Sequence, residues 1–142
     1  MKSTYKLGSN GITEPYEPKQ TNRFIVTFPT EFDIAPQVIF KVSPIVMLAN
    51  NMQVEPIVFY MYDPISPSTS LAINEGLRQL RTKDDKTIKI VIHSLGPIGD
   101  AVEEWILDGE IVLVDFGELN WNVDTQRIIK LEFDVHKAIH NY

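Results

Sequence analysis

The sequence predicts a mainly β fold, an antiparallel sandwich or barrel with one flanking α-helix. Three observations carry that expectation. Short runs rich in β-branched and aromatic residues stop at prolines, two stretches alternate strictly between apolar and polar residues, and only one segment has helical periodicity. With 142 residues the chain is long enough for a single domain with its own core. It contains no cysteine, which excludes a disulfide framework, a zinc ribbon, an iron–sulfur site and a thiol nucleophile.

Residues 1–20 read as an extended arm and residues 21–142 as the β domain. Gly8, Asn10, Gly11, Pro15 and Pro18 punctuate the arm, and its apolar residues Tyr5, Leu7, Ile12 and Tyr16 keep no sustained period. Those four are candidate anchors against a neighbouring subunit. A first strand is expected over 23–28 (Arg-Phe-Ile-Val-Thr-Phe), closed by Pro29, and a second over 38–42, closed by Ser43-Pro44. The stretch between Pro44 and Pro56 fits neither period: its front, Ile45-Val46-Met47-Leu48, is apolar and its back, up to Met52-Gln53, is largely polar. A third strand, 57–62, ends at Asp63-Pro64.

The one helix follows, over about 68–82. Ser66 or Ser68 is its N-cap, Pro67 suits a first-turn position, and Ile73, Leu77 and Leu80 recur at i, i+4 and i+7. Arg78 and Arg81 near its end complement the helix dipole. Ile88, Ile90 and Ile92 then alternate along a fourth strand. The long stretch 101–116 is interrupted by Asp108-Gly109, a turn or bulge signal. Ile129, Leu131, Phe133 and Val135 alternate with Lys130, Glu132, Asp134 and His136 in the clearest strand of the chain. Phe24, Phe28, Phe40, Phe59, Phe116 and Phe133 all sit in strand patterns and are expected in the core.

Thirteen Lys and Arg against nineteen Asp and Glu give a net charge of −6, which argues against general affinity for nucleic-acid backbones. The acids concentrate between Gly99 and His136, whereas Arg78, Arg81, Lys83, Lys86 and Lys89 cluster just before. Two solvated surfaces of opposite sign explain this, and so does a protein that repels polyanions along one face and meets copies of itself elsewhere. No apolar run approaches the roughly 20 residues needed to span a bilayer, and no secretory signal pattern follows Met1.

Motifs for catalysis are missing. There is no Gly-x-Ser-x-Gly elbow, no phosphate-binding loop and no His-Glu-x-x-His; Gly96-Pro97-Ile98-Gly99 reads as a turn. His136 and His140 have i, i+4 spacing but lie in a strand pattern, and the adjacent acids Glu103-Glu104 and Asp84-Asp85 point to opposite faces of an extended chain. Neither an enzyme, a cofactor nor a metal site is expected.

The C-terminal third carries a more specific signal. Residues 103–109, Glu-Glu-Trp-Ile-Leu-Asp-Gly, lead to 114–120, Val-Asp-Phe-Gly-Glu-Leu-Asn, and then to a last strand with Leu131-Glu132-Phe133 and Ala138. This pattern resembles the tail tube proteins of contractile-tailed bacteriophages, where "E-x-W-x-L-x-G" precedes "V-x-F-G-x-L-D" and a final "L-x-F-x-Y-D-x-A". Asn120 departs from the family's Asp, and Asp134-Val135-His136 from its aromatic–Asp pair. The likeness spans residues 22–138 and is densest over 99–138.

The resemblance implies a structural, ring-forming protein of the virion tail, assembled in the host cytoplasm. It implies hexameric rings stacked into a tube, with sheath and baseplate proteins as partners, DNA in transit without specific binding, and no membrane. Sheets of neighbouring subunits join around the channel. It also makes Ile45, Val46, Met47, Leu48 and Met52 candidates for ring stacking. Asp100, Glu103, Glu104, Glu110 and Glu118 are candidates for an acidic channel wall. A baseplate or tail-terminus ring and a secretion-system tube share the pattern; a monomeric ligand-binding β-barrel is the reading from a different class.

Overall fold

The computed structural model describes residues 16–142. Six strands and one helix follow in the order β1 (Phe24–Thr27), β2 (Ile39–Val42), β3 (Ile57–Tyr62), α1 (Thr69–Arg81), β4 (Ile88–Leu95), β5 (Ala101–Asp115) and β6 (Ile128–Asn141). All neighbours are antiparallel, in the order β1-β4-β5-β6-β3-β2, and the sheet curls into a nearly closed barrel. The seam lies where β1 approaches the 3-10 turn Pro36–Val38 that feeds β2. That turn and a second one, Thr30–Phe32, are absent from the sequence expectation; the first begins with Pro36 and the second follows Pro29, and the fixed φ of proline suits a tight turn.

Alternation decides the core. Ile57, Phe59 and Met61 of β3, Ile129, Leu131, Phe133 and Val135 of β6, and Ile88, Ile90 and Ile92 of β4 all point inward and are buried. Phe59 meets Phe28 and Phe133 edge-on, with centroids 5.6 and 6.4 Å apart. Phe40 departs from the expected core. A bulge between Ile39 and Lys41 breaks the two-residue period, so Phe40 and Lys41 both lie exposed while Ile39 is buried.

The helix packs against the Thr30–Phe32 turn. Ser68 is the N-cap, its hydroxyl accepting from the Leu71 N–H at 3.2 Å, so Pro67 precedes the cap and does not occupy the first turn. Asp63 accepts from the Ser70 N–H at 3.0 Å and from Arg127 at 2.7 Å, tying the helix start to the entry of β6. Burial pushes the Asp63 carboxyl up, but the Ser70 and Arg127 contacts outweigh it and hold the group below its usual value. Ile73 and Leu80 are buried, and Gly76 lets the ring of Phe32 lie against the helix where a Cβ would stand. No helix among the described residues is long and apolar enough to cross a membrane.

β5 is one continuous strand. Asp108-Gly109 is a bulge site and not a turn: the pairing passes from Asp108↔Lys137 to Gly109↔Val135, leaving His136 as the extra residue. At Gly109 the Asp134 carbonyl oxygen occupies the space a Cβ would need, and that oxygen is backbone and cannot swing away. Gly109→Ala is therefore expected to destabilise the fold by about 1–3 kcal/mol through forced displacement of β6, read as a lowered urea midpoint. An unchanged midpoint would show that the two strands separate at no cost.

Candidate functional site

The long hairpin of β5 and β6 positions the surfaces of interest. β4 pairs with β5 only as far as Gly109, and β3 pairs with β6 only up to Phe133. Among the described residues, two ladder edges therefore have no strand partner: 110–115 on the β4 side of β5, and 136–141 on the β3 side of β6. The first exposes Val112 and Leu113, which a second bulge in the β5–β6 register sets off, and the second exposes Ile139. An apolar strand edge with unpaired N–H and C=O groups is a template for another chain.

The loop between β2 and β3 is a preformed knob. Leu48 N–H donates to Gln53 O at 2.9 Å, Met52 N–H to Leu48 O at 2.8 Å and Glu55 N–H to Val46 O at 2.9 Å, around a bridge between Met47 and Val54. Gln53 Nε2 donates to Val135 O at 3.0 Å and anchors the loop to β6. Ile45 packs partly against the subunit's own core, whereas Val46, Met47, Leu48 and Met52 are exposed. A contiguous exposed apolar patch of this kind marks an interaction site.

The five candidate channel acids occupy different places. Asp100 is exposed in the turn before β5 and Glu118 in the loop after it. Glu104 and Glu110 share the outward face of β5 with Asp108, because Leu107 and Gly109 between them are buried. Glu110 pairs across with Asp134, and both flank His136 at 3.7 and 3.6 Å. Glu103 lies on the opposite face from Glu104. No group of three or more potential metal ligands occurs among the described residues. Of the arm candidates, Tyr5, Leu7 and Ile12 lie outside the described residues, and Tyr16 is exposed.

The two adjacent glutamates are each taken by a histidine on its own face. Glu103 accepts from Ser94 at 2.9 Å and meets His140 at 2.6 Å, with Lys19 at 3.4 Å; His140 in turn stacks on Trp105 at 4.0 Å. Glu104 accepts from Asn141 at 2.9 Å and meets His93 at 3.0 Å. Burial raises Glu103, but His140, Ser94 and Lys19 outweigh it and lower the carboxyl; Asn141 and His93 lower Glu104. The sequence shows these residues but not their pairing, which depends on the β4–β5 and β5–β6 registers.

A depressed carboxylate contributes stability that is complete above its unfolded value, about 4.3, and is lost as the pH falls through the lower folded value. The Tm is therefore expected to fall steeply on acidification below about pH 4.3. Glu103→Gln combined with Glu104→Gln should lower the Tm at neutral pH and flatten that acid decline. Parallel curves for the double variant and the unmodified chain would remove the two carboxylates from the stability of the hairpin end.

A third feature is an open groove of about 1080 Å³ between the outer faces of β2, β3 and β6 and the 117–127 loop. Lys41 Nζ lies 4.7 Å and Lys130 Nζ 5.9 Å from the Tyr60 ring centroid, Phe40 stacks on Tyr62 at 4.3 Å, and Trp121 on the loop is fully exposed. The signal that points to it in the sequence is the spacing of Leu119, Trp121 and Val123 in a loop, where no core requires them.

No protein-family model and no curated protein matches the sequence. Solved structures share the fold, among them chains of a baseplate and of a sheath–tube complex. A chain of the anti-feeding prophage (AFP) baseplate, a six-fold symmetrised cryo-EM structure, superposes with a TM-score of 0.60 at 20% identity, over 88% of this chain and 96% of that one. A chain of the PVC sheath–tube complex, an extracellular contractile injection system in its extended state, superposes with a TM-score of 0.61 at 12% identity, over 89% of this chain and 93% of that one.

Proposed function

We propose that this chain is a structural ring subunit of a phage-like contractile tail, in which six copies join edge to edge around a channel and the rings stack into a tube that DNA traverses. The observation that carries the reading is the pair of open ladder edges on the β5–β6 hairpin. They lie on opposite sides and at opposite ends of it, so edge 110–115 of one copy and edge 136–141 of the next are free to continue one sheet from subunit to subunit. Such a contact is heterologous and closes into a ring once its rotation sums to a full turn. The shared fold with chains of a baseplate and a sheath–tube complex supports the reading, and the ring number follows the six-fold baseplate.

The subunit has no catalytic role in this reading. Its chemistry is a surface: Glu104, Asp108 and Glu110 on β5 and Glu132 and Asp134 on β6 make an outward face with excess negative charge, relieved by Lys89, Lys130 and Lys137. Facing the channel, this wall repels phosphate and lets DNA slide, whereas a cationic wall would hold each phosphate through counterion release. The knob at 45–52 is covered when a second ring stacks. A baseplate ring of the same fold is the second reading, favoured by the AFP likeness; it differs in that rings form without polymerising.

Negative-stain microscopy of the purified chain tests the assignment directly, with hollow rings or tubes expected and a dispersed monomer at high concentration overturning it. Val112→Lys with Ile139→Lys places solvated charge on both edges. It should abolish rings while moving the stability of the subunit by no more than about 0.5 kcal/mol; rings that persist would rule out these edges. Glu110→Lys with Asp134→Lys should leave assembly intact and slow DNA delivery by particles that carry it. Undiminished delivery would take this face out of the channel.

A further inference from the structure

The knob and the groove lie towards opposite ends of β6. Gln53 of the knob is anchored at Val135, while the groove opens beside Tyr60, Ile128 and Lys130 towards the 117–127 loop. Translating one copy along the strands therefore carries its knob towards the groove of the copy it lands on.

Their chemistry matches. From 42 to 54 the knob carries no charged residue, so burying it strips no ion of water, and its internal hydrogen bonds leave little ordering entropy to be lost. Its first charge is the exposed Glu55 at the base. The groove is walled by apolar and aromatic groups, Phe40, Tyr60, Trp121 and Val123, and rimmed by Lys41 and Lys130. Its own carboxylates are engaged within the loop: Asp115 accepts from the Gly117 N–H at 2.9 Å and Glu118 from Asn120 at 2.8 Å. Arg127 is held by Asp63. Among the described residues, Lys41 and Lys130 have no carboxylate in ion-pair contact. A small-molecule site is the poorer fit, since Trp121 stands fully exposed and encloses nothing.

We infer that the groove under the 117–127 loop is the receptor for the 45–52 knob of a second copy of this chain, with Glu55 of that copy set against Lys41 and Lys130. The inference rests on the ring-stacking reading above and gives it a polarity. Knob and groove are different surfaces, so the contact is head-to-tail and never satisfied within a pair; each ring offers a vacant groove to the next.

The chain has no cysteine, so disulfide trapping is unambiguous. The variant Leu48→Cys with Val123→Cys, oxidised after assembly, should give a ladder of covalent multimers on a non-reducing gel. A mixture of the two single variants should stop at dimers. If stacked rings form but the double variant yields no ladder, the groove assignment is overturned and the stacking reading stands. If the unmodified chain forms no rings or stacks at all, both fall. Charge exchange is the second measurement: Glu55→Lys should weaken stacking about tenfold or more, and adding Lys41→Glu and Lys130→Glu should restore it. Failure of the exchange to restore stacking overturns the stated orientation.

Discussion

The pairing of β5 with β6 is the constraint on which the rest depends. It runs from Glu104↔Asn141 to Asp115↔Lys130, far beyond the reach of any other strand. The short strands divide this hairpin between them, β1 and β4 flanking its first half on β5 and β3 and β2 flanking the opposite half on β6. A barrel built this way is sheared. The two halves are each complete enough to bury Phe59, Phe133, Ile90 and Leu107, yet each long strand overruns its neighbour by about half its length. The open edges follow from that offset and from nothing more elaborate.

Much of this was legible in the residues. Prolines 29, 44, 56 and 64 bracket the short strands within a residue or two, because a residue without an N–H cannot extend a ladder. Ile129, Leu131, Phe133 and Val135 of β6 all point inward, as their alternation requires. Other features were hidden for physical reasons. A bulge shifts the period by one, so Phe40 counted as core by alternation and is a surface residue in fact. Asp108-Gly109 carries the same residues as a tight turn, and only the partner strand decides that the chain runs straight on. The histidine–glutamate pairs bring together residues 11 and 37 positions apart, a result of register that no local pattern encodes.

The candidate acids illustrate the limit most clearly. Counting charge identifies a carboxylate-rich segment, but a strand delivers consecutive residues to opposite faces. Glu103 and Glu104 thus serve the two sides of one hairpin end, where each is already held by a histidine. Glu104 shares the outward face with Asp108, Glu110, Glu132 and Asp134, and of these five the channel candidates read from the sequence include only Glu104 and Glu110.

The same offset that exposes the edges also fixes where the knob and the groove stand. Because β2 and β3 cover only the half of β6 that ends at Phe133, their connecting loop reaches just past that point, where Gln53 meets the Val135 carbonyl and leaves 136–141 open. Their other ends meet the long 117–127 loop that joins β5 to β6. One sheared hairpin thereby leaves two independent sets of exposed surfaces, which in the proposed assembly serve as lateral edges for ring closure and axial features for stacking. A monomer gains nothing from either set: exposed Val112, Leu113, Leu48 and Trp121 all cost solubility when uncovered. In the proposed ring assembly, further copies of the same chain would complete their burial.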